Sequence, residues 1–318
     1  MAVELAQFQN FAKLKDTEIA FNDITVLAGK PSTGKSYVMK FMYAIDEAYN
    51  LSANLSYELA FNNLLNSIFL NYNQVSSNFT CTYRHLSIKI IDDSPTVLFH
   101  DCQLENIENK IFVETPLILE FKKFMKREKG KTPYHIESLL NILDTDYSFT
   151  DEEQDKFIKS FREKSQIIIG GDIESSGDSF IFNRKDDKNY DILNTSSGTK
   201  SIGLLQYLVT NKALKKGSVL FWEEPEVHLH PTWQLKMVDL FVELMNAGVK
   251  IVFSTHSPYM ADYLNAISKR NSYRERISFN VLDEKDGVVT NHILNDDNWE
   301  ILQKELMDTF EDILWQYL

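Results

Sequence analysis

The octapeptide Gly29-Lys30-Pro31-Ser32-Thr33-Gly34-Lys35-Ser36 constrains this chain more than any other stretch. It meets G-x-x-x-x-G-K-[ST] at every fixed position. The apolar run Ile24 to Ala28 precedes it, and Ser36 to Ala48 follows with Val38, Met39, Phe41, Met42 and Ile45 at helical spacing. Strand, glycine loop and helix in that order make a phosphate cradle. Gly29 and Gly34 let the backbone curl so that successive N–H groups face an anion, with the positive end of the helix behind them. Lys35 then reaches β and γ phosphates, and Ser36 offers its hydroxyl to Mg²⁺.

The rest of the chain reads as α/β around this loop. Val3 to Phe11 and Thr17 to Phe21 alternate as strands before the glycine loop. From about residue 50 the texture changes to Asn-rich helical segments, a β-rich stretch around Phe79 to Ile91 and a charged region from Phe121 onward. We read residues 51–164 as a mainly helical, lid-like insertion, with residues 1–50 and 165–318 forming one discontinuous core. Strand patterns resume at Ile167 to Ile173, Phe180 to Phe182 and Tyr190 to Leu193. Val219 to Trp222 and Lys250 to Ser254 read as buried strands, alternating with helices from Trp233 to Met245 and Pro258 to Ile267, which is the rhythm of a parallel sheet. Asp286-Gly287 joins two further strands, and a helix with Leu302, Leu306, Phe310 and Ile313 on one face ends the sequence.

Two acids, Glu223 and Glu224, follow the strand Val219 to Trp222, where open α/β sheets place their ligands. Glu223 is the candidate to hold Mg²⁺ and Glu224 the candidate to orient or deprotonate an attacking water, because phosphoryl transfer needs positioning and charge stabilisation. A helix-leading acidic turn is the plainer alternative. His256 follows the strand Lys250 to Ser254, within reach of a γ-phosphate or as a structural histidine. His228 and His230 have no third and fourth ligand spaced nearby, so they do not read as a metal pair.

Composition narrows the setting. With 43% hydrophobic residues the chain can bury a large core, and no apolar run approaches the roughly 18 to 20 residues of a membrane span. A cytoplasmic protein without a membrane partner is expected. The net charge of −13 argues against a surface that coats nucleic acid indiscriminately. One basic cluster, Lys122, Lys123, Lys126, Arg127, Lys129 and Lys131, is the place for contact with DNA or a partner, or else a solvated helix face. Cys81 and Cys102 show no ligand spacing and read as core thiols.

Four motifs in order resemble the ABC-type ATPases: Gly29 to Ser36, Leu193 to Lys200, Glu223 to Pro231, and Ser254 to Pro258. The nearest likeness is to the prokaryotic AAA-family, OLD-like ATP-binding proteins. The resemblance implies an ABC-type P-loop core, a mixed sheet with an antiparallel β subdomain, and a homodimer closed head to tail around two ATP. It also implies that Ser196, Ser197 and Gly198 form the signature, clasping the γ-phosphate held by the other subunit. On the residues alone a simple N-cap is the plainer alternative for this stretch. Ser197 stands where transporters usually carry a glycine, Thr199 replaces their glutamine, and Glu223 replaces their aspartate. The Q-loop glutamine has no clear place; Gln74 is one candidate, and Phe112 to Pro116 resembles the crossing back into the core.

Only about 150 residues without sustained heptads separate glycine loop from signature, too few for the long coiled coils of chromosome-maintenance ATPases. About 60 residues follow His256, too few for the nuclease domain of OLD nucleases. The resemblance therefore implies an ATP-hydrolysing subunit working with a separate effector in phage defence or DNA surveillance. A nucleotide-gated scaffold with little hydrolysis and the ATPase subunit of a transporter are the alternatives.

Overall fold

The computed structural model describes residues 3–52, 55–69, 78–83, 86–91, 94–99, 108–125, 132–148, 151–186, 188–270 and 273–307. The chain is mixed α/β and divides into two compact units, residues 1–106 with 252–318, and residues 107–251.

The first unit carries the strands β1 (Glu4–Phe11), β2 (Leu14–Phe21), β3 (Ile24–Ala28), β4 (Asn78–Tyr83), β5 (Leu86–Ile91) and β6 (Ser94–Phe99). Helices α1 (Lys35–Leu51) and α2 (Tyr57–Phe69) lie between β3 and β4. The second unit begins with β7 (Lys110–Val113) and helices α3 (Ile118–Met125), α4 (Tyr134–Asp144) and α5 (Glu152–Ile169). It continues through β8 (Gly171–Ser176), β9 (Ser179–Arg184), β10 (Asn189–Asp191), α6 (Ser197–Thr210), β11 (Val219–Trp222) and α7 (Pro231–Asn246). The boundary between units falls within β12 (Lys250–Thr255), after which α8 (Pro258–Arg270), β13 (Ile277–Lys285) and β14 (Val288–Ile293) complete the first unit, with residues 300–307 helical.

In the first unit the strands run β6-β5-β4-β1-β2-β14-β13-β3, with β12 on the far side of β3. Strand β3 pairs in parallel with β13, matching Ile24 to Ile277 and Ala28 to Val281, while β1, β2, β4, β5 and β6 are antiparallel. All five residues of β3 are buried, and all but Thr25 are apolar, as a strand covered on both faces requires. Helix α1 turns Val38, Met39, Phe41, Met42 and Ile45 inward, the face its spacing predicts.

One polar side chain fixes this register from inside. Asn280 on β13 is fully buried; its Oδ1 accepts from the Ala20 N–H at 2.9 Å and from Asn291 Nδ2 at 2.9 Å. Its Nδ2 donates to the Ala20 carbonyl at 2.9 Å and the Val26 carbonyl at 3.3 Å. A single amide thereby ties β2 to β3 across β13, with both its oxygen and its nitrogen satisfied.

In the second unit β7 and β11 pair in parallel, Lys110 opposite Val219 and Val113 opposite Trp222, beside the three-stranded antiparallel order β10-β9-β8. Helix α6 is buried along nearly all its length. Gly203 on α6 lies so close to Ile173 that an added Cβ would fall 2.2 Å from its Cδ1.

Two sequence expectations are corrected here. Residues 167–169 are not the start of a strand: α5 runs to Ile169 and ends in Gly170 at φ 76°. The Ile167-Ile168-Ile169 triplet looks β-like, yet Ile167 is 75% exposed and only Ile169 faces the interior, so helical periodicity wins over β-branching. Lys122 is no part of a surface cluster. It is 1% exposed, pairs with Asp144 at 2.7 Å and lies 4.5 Å over the Phe180 ring. The Lys123 side chain and Lys126, Arg127, Lys129 and Lys131 lie outside the described residues, as do Gln74 and Cys102. Cys81 is buried, and burial pushes its thiol far above the ordinary range, so it is a core residue and no nucleophile.

Asn280→Leu keeps the volume but orphans the Ala20 N–H, and is expected to cost about 2 to 3 kcal/mol in urea unfolding followed by circular dichroism. A loss below about 0.5 kcal/mol would mean that the network does not hold the register.

Candidate functional site: a glycine loop, an acidic strand edge and a capped helix

The glycine loop grows out of the C-terminal end of β3. Gly29 has φ 137°, and a Cβ there would lie 2.2 Å from the Leu282 carbonyl oxygen, so only glycine fits. Gly34, at φ 92°, is the N-terminal residue that opens α1. Ser32 also takes a left-handed conformation, at φ 65°, which a serine adopts only when its surroundings hold it. Thr33 Oγ1 donates to the Lys30 carbonyl at 3.0 Å and closes the curl.

Lys35 is 5% exposed. Its ammonium donates to the carbonyls of Gly29 at 2.8 Å and Lys30 at 2.7 Å and to Thr33 Oγ1 at 3.3 Å. The charge is thus held inside the loop, next to the N–H groups that open α1. Ser36 is the second residue of α1, and Pro31 is exposed on the loop.

A contact invisible to sequence reasoning braces the loop from the other end of the chain. The Lys30 N–H donates to Glu305 Oε1 at 3.3 Å, and Lys30 Nζ lies 3.4 Å from Glu305 Oε2. Helical segment 300–307 is seated by Leu302, which joins Ala28, Ala261 and Val281 in one buried cluster. Trp299 Nε1 adds a bond to Asp262 Oδ1 at 2.9 Å. In the same unit His256 directly follows β12 and is half-buried. The next residue, Ser257, caps α8 by accepting from the Met260 N–H at 3.2 Å.

The acidic edge belongs to the second unit. Val219 to Trp222 are all buried, and the Glu223 N–H extends the parallel ladder by donating to the Val113 carbonyl at 2.9 Å. Glu224 then breaks from the strand at φ 44°, a left-handed conformation worth roughly 1 to 3 kcal/mol of strain in a non-glycine residue. The same ladder sets a third acid, Glu114, at the end of β7, a position the sequence does not single out. Its Oε2 is 3.0 Å from Nε2 of the buried His135 on α4. Only the β7 and β11 register reveals this neighbourhood.

His230 is explained structurally: its Nδ1 accepts from the Thr232 N–H at 3.3 Å as the N-cap of α7, ahead of Pro231. Among the described residues no group of three His, Cys, Asp or Glu side chains is arranged for a metal.

The stretch Ser196, Ser197, Gly198 starts helix α6. Ser196 is the N-cap; its Oγ accepts from the Thr199 N–H at 3.1 Å and lies 2.8 Å from Thr199 Oγ1. A Cβ on Gly198 would come 3.2 Å from the His228 carbonyl and 3.4 Å from the Trp233 ring. The glycine therefore lets the start of α6 press on the turn that follows the acidic edge. Ser196 itself is exposed, and the first N–H groups of the helix have no partners within it.

The donors suit the groups the motif implies. Two left-handed glycines around a buried ammonium fit a phosphate chain; the Ser36 hydroxyl of the first unit and the Glu223 carboxylate of the second are each a hard oxygen donor of the kind Mg²⁺ takes.

Comparison with known proteins bears on the fold. The family model described as an AAA domain, putative AbiEii toxin of a type IV toxin-antitoxin system, matches residues 125–262, a stretch holding Ser196, Glu223, Glu224 and His256. No curated protein matches the chain. Among solved structures, an Smc head bound to the C-terminal winged-helix domain of ScpA is similar at TM-score 0.58 and 12% identity, covering 95% of this chain and 100% of that one. The SMC head domain from Thermotoga maritima gives TM-score 0.52 and 11% identity, covering 93% and 100%. The Smc head with an extended coiled coil, bound to the C-terminal domain of ScpA and derived from Pyrococcus furiosus, gives 0.53 and 14%, covering 95% and 99%. The chain has the fold of these SMC heads. Among the described residues no helix is long and apolar enough to cross a membrane.

Lys35→Ala removes the buried ammonium together with the bonds that order the loop. We expect ATP binding to weaken by about 30-fold or more, the worth of roughly 2 kcal/mol for hydrogen bonds to a charged group. Unchanged affinity in a calorimetric titration would contradict the assignment.

Proposed function

We propose that this chain binds ATP with Mg²⁺ and hydrolyses it as one half of a homodimer closed around two nucleotides. The observation that carries the reading is the glycine loop, in which two left-handed glycines enclose the buried Lys35 ammonium. An ammonium is placed there to meet anionic oxygens, and the curl of the backbone is the one that presents N–H groups to phosphates.

The other residues divide the work. Ser36 and Glu223 would hold Mg²⁺, which when bound neutralises charge on the phosphate oxygens. Glu224 takes the proton of the attacking water, its direction set by the strained backbone that turns it off the strand. His256 serves as a donor to the γ-phosphate. Ser196, Ser197 and Gly198 act on the nucleotide of the second copy: an exposed, capped helix start with open N–H groups favours an anion brought to it.

The wider setting follows the resemblance. We infer that residues 1–50 and 165–318 act as the ATPase core, that residues 51–164 serve as its lid, and that the nucleotide cycle drives a separate effector in phage defence or DNA surveillance. The toxin-antitoxin description of the matching family and the ScpA domains bound to two of the similar heads support an ATPase that works with a partner.

Glu224→Gln keeps the size of the carboxylate but cannot take the proton, so hydrolysis should slow by about 10²- to 10⁴-fold with ATP binding intact. ATP then persists, and this variant should shift from monomer to dimer in light scattering when ATP and Mg²⁺ are added. Ser196→Arg in the same background should undo the shift. A Glu224→Gln protein that stays monomeric at saturating ATP, or a double variant that dimerises equally well, would sink the shared-site mechanism.

A further inference from the structure

Lys200 is the fourth residue of α6, at the end of its first turn, and is 3% exposed. Its ammonium donates to the Thr195 carbonyl at 2.8 Å and forms an ion pair with Glu120 of α3. Helix stability does not account for a charge in this place. A cation near a helix N-terminus opposes the dipole, and a buried ion pair is replaceable by apolar side chains of similar volume without loss of stability. The ammonium does have one specific effect, which is on the residue preceding Ser196.

The peptide between Thr195 and Ser196 is planar and trans, so fixing the direction of the Thr195 carbonyl fixes that of the Ser196 N–H. Thr195 is held a second time by its own N–H and Oγ1, both donating to the Ile192 carbonyl, at 3.2 and 2.8 Å. The turn entering α6 is therefore set from both sides, and among the described residues it is the Lys200 bond that acts on the peptide leading into the cap. Glu120 sets Lys200 in turn. It is carried by α3, the helix that follows β7, and the Val113 carbonyl of β7 receives the Glu223 N–H. The same pair thus joins the start of α6 to the segment leaving the acidic edge.

We propose that Lys200, set by Glu120, is a positioning residue for the Ser196 to Gly198 helix start, holding its N–H groups in the direction needed to receive the phosphate chain of a nucleotide carried by a second copy. This rests on the shared-site reading above and adds to it the residue that makes the signature competent. Lys200 touches no substrate; its effect passes through the Thr195 carbonyl.

The test uses the full chain in the Glu224→Gln background, with Lys200→Met and Glu120→Gln added singly, ATP and Mg²⁺ as the probe and circular dichroism as the check on folding. Nucleotide affinity, set by the glycine loop, should stay within about twofold of the parent, while ATP-dependent association should weaken by about 10- to 100-fold, the usual effect of removing a group that orients a ligand-binding one. Should Lys200→Met fail to fold, Glu120→Gln carries the test, because that side chain is already 20% exposed. Association as tight as in the parent, or a loss of nucleotide affinity in step with association, overturns the positioning role. A Glu224→Gln parent that itself fails to associate overturns the shared-site reading, and this proposal with it.

Discussion

The close approach of Gly29 to the Leu282 carbonyl is the constraint on which the nucleotide half of this protein depends. Strands β3 and β13 pair in parallel up to Ala28 and Val281, so the next residue on each strand meets where the loop begins. A side chain there would overlap backbone, which forces glycine, and the glycine in turn permits the turn that brings the Lys35 ammonium back onto the Gly29 and Lys30 carbonyls. Register, loop conformation and the location of the positive charge are one linked arrangement. Asn280 keeps that register, one residue before Val281, by bonding β2 and β3 at once.

The second unit applies strain and capping in place of a glycine cradle. Glu224 is turned out of its strand at φ 44°, and Ser196 closes the start of α6 with its own hydroxyl. Serine as an N-cap and serine as a phosphate-facing group are compatible readings here, since the cap uses the Thr199 N–H and leaves the earlier ones open. The buried Lys200 behind this cap costs desolvation, which is tolerated at functional sites more readily than elsewhere.

Much of this was legible in the sequence, and the parts that were not share a cause. Strands Ile24–Ala28 and Val219–Trp222 were read with the bounds they have, because short strands buried on both faces are continuous apolar runs closed by glycine or acid. The glycine loop and the helix after it carried their own punctuation. By contrast, the isoleucine triplet at 167–169 was misread as a strand, since β-branched residues at a helix end mimic one. Lys122 was counted among solvated lysines although Asp144 and Phe180 enclose it. Glu114 with His135, Glu120 with Lys200, and Glu305 on the Lys30 N–H all join positions far apart in the chain. Periodicity says which face of a helix is buried and nothing about which charge awaits it there.

The central claim of the proposed function is that turnover needs two copies, one chain supplying the P-loop and another the signature. The rate per chain at saturating ATP and Mg²⁺, measured across protein concentrations from far below to far above micromolar, tests this most directly. A shared site makes the rate per chain climb with concentration and level off as the dimer fills. A rate per chain that is substantial and constant over the whole range would contradict the account.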